Sequence, residues 1–309
     1  MNKSVVTRID EFVNYHIHGD ADCYGKILKL YANNENMTEH EVFDFVYFYS
    51  ITYNIPSAIV LYKEREQIRK NPRLYATNNK NRILFQSDRK YVKIQDRFEN
   101  CLEDWQKNIN FEDFKRKNIT GNKINLNTAI KYVQKWFYFG RFASFLFLEG
   151  IYTVMDYSFE NCKIKWLEGD TATSGVMNVF GYDKHANYFD KYNKIAEGLN
   201  INRLDSMLEH LEGKIKAKGG NYNTTCVETS LCAYRKFYKG TRYNGYYLDR
   251  QLEEIIYIEN NYPQYKQEIE KIKAIRKQLF NPKYLGELNN WTGIRNDLKK
   301  VYILKGEIT

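Results

Sequence analysis

The segment from Trp136 to Glu149 constrains the fold of this chain most, because it places two charges inside the most apolar stretch of the sequence. It reads Trp-Phe-Tyr-Phe-Gly-Arg-Phe-Ala-Ser-Phe-Leu-Phe-Leu-Glu. If the segment is helical, Arg141, Phe145 and Glu149 fall at i, i+4 and i+8 and share one face. Burying charges where aliphatic side chains would pack better costs stability. Arg141 and Glu149 therefore either satisfy each other or serve a ligand.

The same region, from Phe137 to Val154, comes close to the length of a membrane span. Its two charges oppose insertion, since each costs about 2.5 to 3.5 kcal/mol near the centre of an inserted helix. We therefore predict a buried helix and no membrane partner. The polar N-terminus, with Asp10, Glu11 and Asp20, shows no secretory signal, which favours a cytoplasmic protein.

The composition predicts a folded protein with a basic surface. Hydrophobic residues make up 43% of the chain and aromatic residues 16%, far from the composition of a disordered protein. The formal net charge of +9 and the pI near 9.0 favour a polyanionic partner, with nucleic acid first and an anionic membrane surface second. A merely solvated basic surface is the alternative.

Helical patterns dominate the chain. Apolar residues recur at helical spacing from Glu39 to Tyr53 and from Tyr265 to Leu279. Only four prolines occur, and no alternation typical of strands is visible. We predict an all-α, compact multi-helix fold with few or no strands. The polar segment Asn118 to Asn127 is interpreted as a linker, which gives an N-terminal helical portion over residues 1–120 and a catalytic helical core over 121–309, packed as one body.

A basic stretch runs from Lys63 to Lys93, where ten positive residues stand against three acidic ones. Lysine and arginine supply most of the sequence-independent affinity for DNA, because they displace counterions from phosphates. The alternative is an ordinary solvated helix face. The residues predicted to contact DNA are Arg69, Lys70, Arg73, Arg82, Arg89 and Lys90.

Residues 168–175, Glu-Gly-Asp-Thr-Ala-Thr-Ser-Gly, resemble a loop that leads into a helix. A helix start offers backbone N–H groups to a phosphate or pyrophosphate, helped here by the hydroxyls of Thr173 and Ser174. On spacing alone, ordinary capping by Asp170 is the favoured explanation, because capping residues are common at helix starts. The segment lacks the spacing of a P-loop.

A second polar region spans residues 225–250. Glu228 and Arg235 share one face of a predicted helix, although Glu228 can also complete a capping box with Thr225. Around the Asn244-Gly245 turn, the polar residues suit an anionic or amine-bearing ligand, and surface ion pairs are the alternative. These residues are Arg242, Tyr246, Asp249 and Arg250.

Metal and cofactor sites are not indicated. The acidic, histidine and cysteine residues crowded between His16 and Cys23 lack a recognised ligand spacing, and the five cysteines form no CxxC pair. The sequence contains no nucleophile elbow and no GxGxxG loop. We predict neither a metal site nor a cofactor.

Several of these motifs together resemble a phage enzyme family, the alpha-glutamyl/putrescinyl thymine pyrophosphorylases, also called amino acid:DNA transferases. The likeness covers about residues 40–295. It rests on Phe139-Gly-Arg141-Phe with Glu149, on Trp166, on the helix from Ser174-Gly175 to Gly181, on Glu228-Thr-Ser-Leu-Cys232-Ala-Tyr-Arg-Lys236 and on Arg242-Tyr-Asn-Gly-Tyr-Tyr-Leu-Asp249-Arg250. The resemblance implies an all-helical fold distantly similar to DNA glycosylases, working in the host-cell cytoplasm if the chain is phage-encoded.

It also implies a reaction on double-stranded DNA whose thymine methyl group has been hydroxylated and pyrophosphorylated. An amino acid, or a polyamine such as putrescine, displaces pyrophosphate from the exocyclic methylene. Mg²⁺ is optional as a bridge to the pyrophosphate. Two alternatives stay open, a glycosylase-like enzyme that excises a modified base and a non-catalytic phage DNA-binding protein.

For that reaction we expect Glu149 to act as base or amine anchor, with Glu228 and Asp249 as the next candidates. Positive groups and helix starts would hold the pyrophosphate or the DNA phosphates. The substrate-binding candidates are Arg141, Asp170, Thr173, Ser174, Arg235, Lys236, Arg242, Tyr246 and Arg250.

Overall fold

A computed structural model describes residues 23–85, 96–160, 230–235 and 246–279, together with positions 209, 210, 213 and 217. The chain divides into two compact units. The main unit combines Tyr24–Asn161 with Arg250–Gln278, and the second unit combines Met1–Cys23, Cys162–Asp249 and Leu279–Thr309. Most of the described residues lie in the main unit.

The described residues are mostly helical, which confirms the all-α prediction. Residues 230–235 are also helical. The helices before the first strand are α1 (Cys23–Asn34), α2 (Glu39–Thr52), α3 (Ile55–Lys63), α4 (Arg65–Lys70), α5 (Pro72–Asn79), α6 (Phe98–Asn108) and α7 (Phe111–Asn118). Those after it are α8 (Leu126–Val133), α9 (Arg141–Val154), α10 (Tyr246–Asn261), the 3₁₀ turn Pro263–Tyr265 and α11 (Lys266–Leu279).

Local capping explains where several helices begin. Thr38 and Glu41 form a capping box at the start of α2, with the Thr38 N–H donating to Glu41 Oε2 at 3.0 Å. Asn54 caps α3 by accepting from the Ser57 N–H at 2.9 Å, and Pro56 lies in the first turn, where its missing N–H costs nothing. These short-range rules can be applied to the sequence alone.

A small sheet of three strands accompanies the helices. Its strands are β1 (Ile119–Thr120), β2 (Lys123–Asn125) and β3 (Ser158–Glu160), in the order β1-β2-β3. The first two are antiparallel, with Ile119 opposite Ile124, and β3 runs parallel to β2, with Phe159 opposite Ile124. Residues 119–125 are thus a hairpin rather than the predicted linker, and the proposed boundary between residues 120 and 121 falls inside it.

The core of the main unit forms where α9 packs on α2. A Cβ atom at Gly150 would lie 2.6 Å from Val46 Cγ1, so glycine permits this close approach. Beside it, Phe147 meets the rings of Phe43 and Trp136 edge-on, with centroids 5.2 and 4.9 Å apart. Within the described residues, none of the helices combines the length and the apolar character that a membrane crossing requires.

Candidate functional site

The start of α9 is held in a defined conformation but has no side-chain cap. Gly140 is the N-cap residue and, as a glycine, provides no side-chain cap. The preceding turn is fixed by the Phe137 N–H, which donates to Asp104 Oδ2 at 2.7 Å. Ser144 Oγ donates back to the Gly140 carbonyl at 2.9 Å. An uncapped helix start keeps its positive dipole end available to an anion.

Three aromatic rings around this helix start are exposed. Phe137, Tyr138 and Phe142 retain 36%, 41% and 39% of their accessible surface, whereas Trp136 and Phe139 retain only 5% and 4%. We call the three exposed rings the aromatic surface. Apolar rings of this size are normally covered, so their exposure marks a surface that can receive a partner.

Two tyrosines near the aromatic surface have left-handed backbones. Tyr138 has φ 63° and Tyr53, at the end of α2, has φ 49°. Such a conformation costs a bulky residue about 1 to 3 kcal/mol, which the surrounding structure must supply. The Phe142 ring meets the Tyr53 ring edge-on, with centroids 5.6 Å apart, and Tyr24 stacks on Tyr53 at 5.5 Å.

The charged residues of α9 lie at different heights along the helix. Arg141 is its first residue and Glu149 follows two turns later, about 12 Å along the axis. Glu149 is half-buried and directly precedes Gly150, the residue in contact with α2. The predicted helix is confirmed from Arg141 onward, whereas residues 136–140 form a turn before it, so the helix does not begin at Phe137 as expected.

The remaining predicted site residues are distributed as follows. Tyr246, Asp249 and Arg250 lie in the first turns of α10, and Arg235 is half-buried in the helical residues 230–235. The sequence further predicts that the helix with Arg141 and Glu149, the segment 171–175 and the region 228–250 meet in one cleft, and this stays a prediction. Outside the described residues lie Arg89, Lys90, Asp170, Thr173, Ser174, Glu228, Lys236 and Arg242.

A model of the family named amino acid:DNA transferase matches residues 45–243, well over half of the chain. The chain belongs to the amino acid:DNA transferase family. The match runs from within α2 through all of α9. It makes the protein a transferase that acts on DNA and an amino acid. No protein of curated function matches the chain.

In this transferase, the basic stretch is largely paired inside the main unit. Arg69 makes ion pairs with Asp44 at 3.1 Å and with Glu66 at 2.6 Å, and its guanidinium lies 5.0 Å from the centre of the Trp105 ring. Trp105 Nε1 also donates to Asp44 Oδ1 at 2.9 Å. Burial nevertheless raises the pKa of the Asp44 carboxyl, although the Trp105 hydrogen bond and the Arg69 charge oppose the shift.

Two further arginines of the stretch also have partners. Arg73 Nε lies 2.7 Å from Glu99 and 3.2 Å from Glu103. The Arg82 guanidinium stacks 4.3 Å from the centre of the Tyr262 ring and donates to the Asn261 carbonyl. Lys70 is exposed. The DNA-contact role of these residues stays a prediction, and the charges of Arg69 and Arg73 are already paired with carboxylates.

A buried carboxylate held by tyrosines lies outside the predicted site. Glu64 accepts hydrogen bonds from Tyr75 Oη at 2.5 Å and from Tyr265 Oη at 3.1 Å. Burial, and then the Glu64 charge and hydrogen bond, raise the pKa of both phenols, so they remain donors at neutral pH. This cluster joins the α3–α4 junction to the turn before α11. Its members are far apart along the chain, so no local sequence pattern indicates it.

Buried polar residues also interrupt the apolar faces of α10 and α11. Gln251, Glu254 and Arg276 are almost completely buried, and neither the nitrogen nor the oxygen of the Gln251 amide has a hydrogen-bond partner among the described residues. An ion pair of 2.8 Å between Lys273 and Glu259 links α11 to α10. Gln251 lies seven residues before Ile258, a spacing that places both on the buried face of the helix. The burial of Gln251 could therefore have been predicted from the sequence.

Metal ligands are not clustered in the described part of the chain. No group of three or more His, Cys, Asp or Glu side chains there could hold a metal ion.

Proposed function

We propose that the protein transfers an amino acid or an amine onto the methylene of 5-pyrophosphomethyl-deoxyuridine in double-stranded DNA. The amine nitrogen attacks the methylene carbon, the carbon–oxygen bond to pyrophosphate breaks, and pyrophosphate leaves with the bonding electrons. The observation that carries this proposal is the family match across α9, the helix that holds Arg141 and Glu149. The enzyme would work in the host cytoplasm on phage DNA.

Glu149 is the proposed base. An amino group is protonated at neutral pH and must lose a proton before its lone pair can attack, which a neighbouring carboxylate can accept. The half-buried position of Glu149 suits this role, because Phe147 and Leu148 next to it are fully buried and Gly150 holds the helix against α2. A carboxylate on a rigid element keeps its orientation during the reaction. Glu228 and Asp249 remain the next candidates.

The leaving pyrophosphate needs positive charge where negative charge develops. Arg141 stands at the first position of α9, where the dipole of the uncapped helix adds to its charge. We assign the same task to Arg235, Lys236, Arg242 and Arg250, helped by the hydroxyls of Thr173, Ser174 and Tyr246, with Asp170 as the residue that caps this helix start. Mg²⁺, if used, would enter with the pyrophosphate as part of the substrate. The modified base would have to leave the duplex, which costs a few kcal/mol.

The test uses purified protein, a duplex with one 5-pyrophosphomethyl-deoxyuridine, and a pool of amino acids with putrescine. Mass spectrometry of the digested DNA should detect an aminated nucleoside, together with released pyrophosphate. Glu149→Gln should lower the rate about 10²- to 10⁴-fold, the usual contribution of a general base. Glu160→Gln, an exposed carboxylate on β3, is the matched control and should keep full activity.

Other products would contradict the proposal. Free modified base with an abasic site would indicate a glycosylase, and unmodified DNA that is bound without turnover would indicate a binding protein. Full activity of Glu149→Gln would remove Glu149 from the base role while leaving the transfer reaction intact.

A further inference from the structure

We propose that the aromatic surface of Phe137, Tyr138 and Phe142 stacks against unpaired bases of the DNA substrate. The inference rests on the proposed function, since it takes DNA as the partner, and it names the surface through which a displaced thymine and its neighbours are held. On this inference the aromatic rings contact the DNA, whereas the charge pattern of the sequence alone would predict that the basic stretch does.

The turn that carries Phe137 and Tyr138 is anchored in the structure. Trp136 and Phe139 are buried on either side of Phe137 and Tyr138, so the turn is anchored at both ends. The hydrogen bond from the Phe137 N–H to Asp104 fixes it further. Tyr138 combines an exposed ring with a left-handed backbone, a conformation that the surrounding structure must stabilise. Rings held in one orientation lose little freedom when a partner stacks on them.

The charges near the aromatic surface favour a nucleic acid over an apolar partner. Lys135 is exposed one residue before the buried Trp136, and Arg141 follows Gly140 at the uncapped start of α9. Positive groups interleaved with exposed aromatic rings match the alternation of phosphates and bases in a strand whose bases are unpaired. An intact duplex hides the faces of its bases, so the stacked bases must be unpaired or extruded.

The basic stretch is less suited to this task. The guanidinium groups of Arg69 and Arg73 each form ion pairs with two carboxylates, which would compete with phosphates. Binding through the aromatic surface would depend on ring stacking, which salt weakens far less than it weakens phosphate contacts.

The experiment measures binding of fluorescently labelled oligo-dT, and of a duplex with a three-thymine bulge, by anisotropy at two salt concentrations. The test variants are Phe142→Ala and Tyr138→Asn, since asparagine tolerates the left-handed backbone. The controls are Leu74→Ala, which removes an apolar side chain with 57% exposure on α5, and Arg73→Ala in the basic stretch. Thermal unfolding of each variant verifies that it is folded.

Each test variant should bind about 5- to 150-fold more weakly, which corresponds to about 1 to 3 kcal/mol per stacked base, with an unchanged slope against salt. Phe142→Trp should retain binding, because a larger ring still stacks. The inference is overturned if both test variants bind within twofold of the wild type, or if Arg73→Ala alone weakens binding.

The same preparations separate this inference from the proposed function. If amine transfer to modified DNA is observed but the aromatic variants bind DNA as tightly as the wild type, the inference about the aromatic surface is wrong and the proposed reaction is retained. Ring-dependent binding without any aminated product would support the surface and contradict the reaction. A wild-type protein that binds neither DNA would overturn both.

Discussion

The basic stretch and the aromatic surface behave in opposite ways. The first is the most strongly charged part of the sequence, yet in the fold Arg69, Arg73 and Arg82 are bound to other parts of the same unit. The second lies in the most apolar part, yet its rings face solvent. Neither the charge nor the hydrophobicity of a sequence segment determines which groups it exposes, because acidic and covering side chains come from elements distant in the sequence.

The source of the compensating acids explains the difference. Asp44 comes from α2, Glu99 and Glu103 come from α6, and Glu35, which pairs with Lys63, lies between α1 and α2. A count of charges within a window of sequence omits all of them. The net charge of the chain therefore still favours DNA as a partner, but it does not locate the contact surface.

The largest expected effect separates buried from exposed rings within the aromatic region. Phe147→Ala should lower the free energy of unfolding by about 3 to 5 kcal/mol, because Phe147 is fully buried against Phe43 and Trp136. Phe142→Ala should cost less than about 1 kcal/mol. Urea unfolding of both variants checks this. Equal losses would mean that the exposed ring is structural and would break the comparison.

Next in size is the contact that positions the aromatic region on α2. Gly150→Ala should destabilise the protein by about 1 to 3 kcal/mol, since the new methyl group would overlap the stiff side chain of Val46. Adding Val46→Ala should restore part of the loss, so the two changes should not be additive in a double-mutant cycle. Additive losses would indicate that the helices do not meet at this point.

A third prediction concerns the masked charge of the basic stretch. Glu99→Gln combined with Glu103→Gln should release Arg73 and strengthen DNA binding, with a slope of log affinity against log salt that is steeper by about one. The double change Glu160→Gln and Glu209→Gln alters the net charge equally but frees no arginine of the stretch. Anisotropy titrations at several salt concentrations compare the two. If the two double variants give identical salt slopes, the ion pairs of Arg73 do not limit DNA binding by the basic stretch.

The smallest effect concerns acid stability. Burial would raise the pKa of Glu35, but hydrogen bonds from Lys271 and Lys63 outweigh it and lower the pKa. A carboxylate whose folded pKa is depressed contributes stability above its unfolded pKa, about 4.3, and loses that contribution as the pH falls through the folded pKa. The free energy of unfolding of the wild type should exceed that of Glu35→Gln by about 1 kcal/mol at pH 6, and this difference should shrink at pH 3.5.

Urea unfolding at both pH values measures this difference, with Glu160→Gln as the control that changes a carboxylate without a partner network. If the difference in unfolding free energy between the wild type and Glu35→Gln grows in acid, its pH dependence has the opposite sign to the one predicted. The ion pairs of Glu35 would then not be the source of the difference.

The parts of the fold that obey short-range rules could be predicted from the sequence. The capping box of Thr38 with Glu41 and the helix that carries Glu149 both follow from spacing. The sheet could not, because its strands have only two or three residues, too few for an alternation to show. The tyrosine cage of Glu64 depends on Tyr265, two hundred residues away, which no local pattern connects to it.

The candidate site was predictable to the same degree. Its helix α9 could be found because charges in an apolar segment stand out, and the family match includes that helix. The exposure of Phe142 could not be predicted, because an exposed and a buried phenylalanine look the same in the sequence. Gln251 could have been noticed as a polar residue on an apolar face.

The division of the main unit has a consequence for synthesis on the ribosome. Tyr24–Asn161 is made first, but the unit is completed only by Arg250–Gln278, after the intervening Cys162–Asp249 has been translated. At about 5 to 20 residues per second, that interval lasts several seconds or more. Throughout it, Glu64 lacks the hydroxyl of Tyr265. A nascent chain stalled before Arg250 should therefore be more sensitive to protease than the released protein.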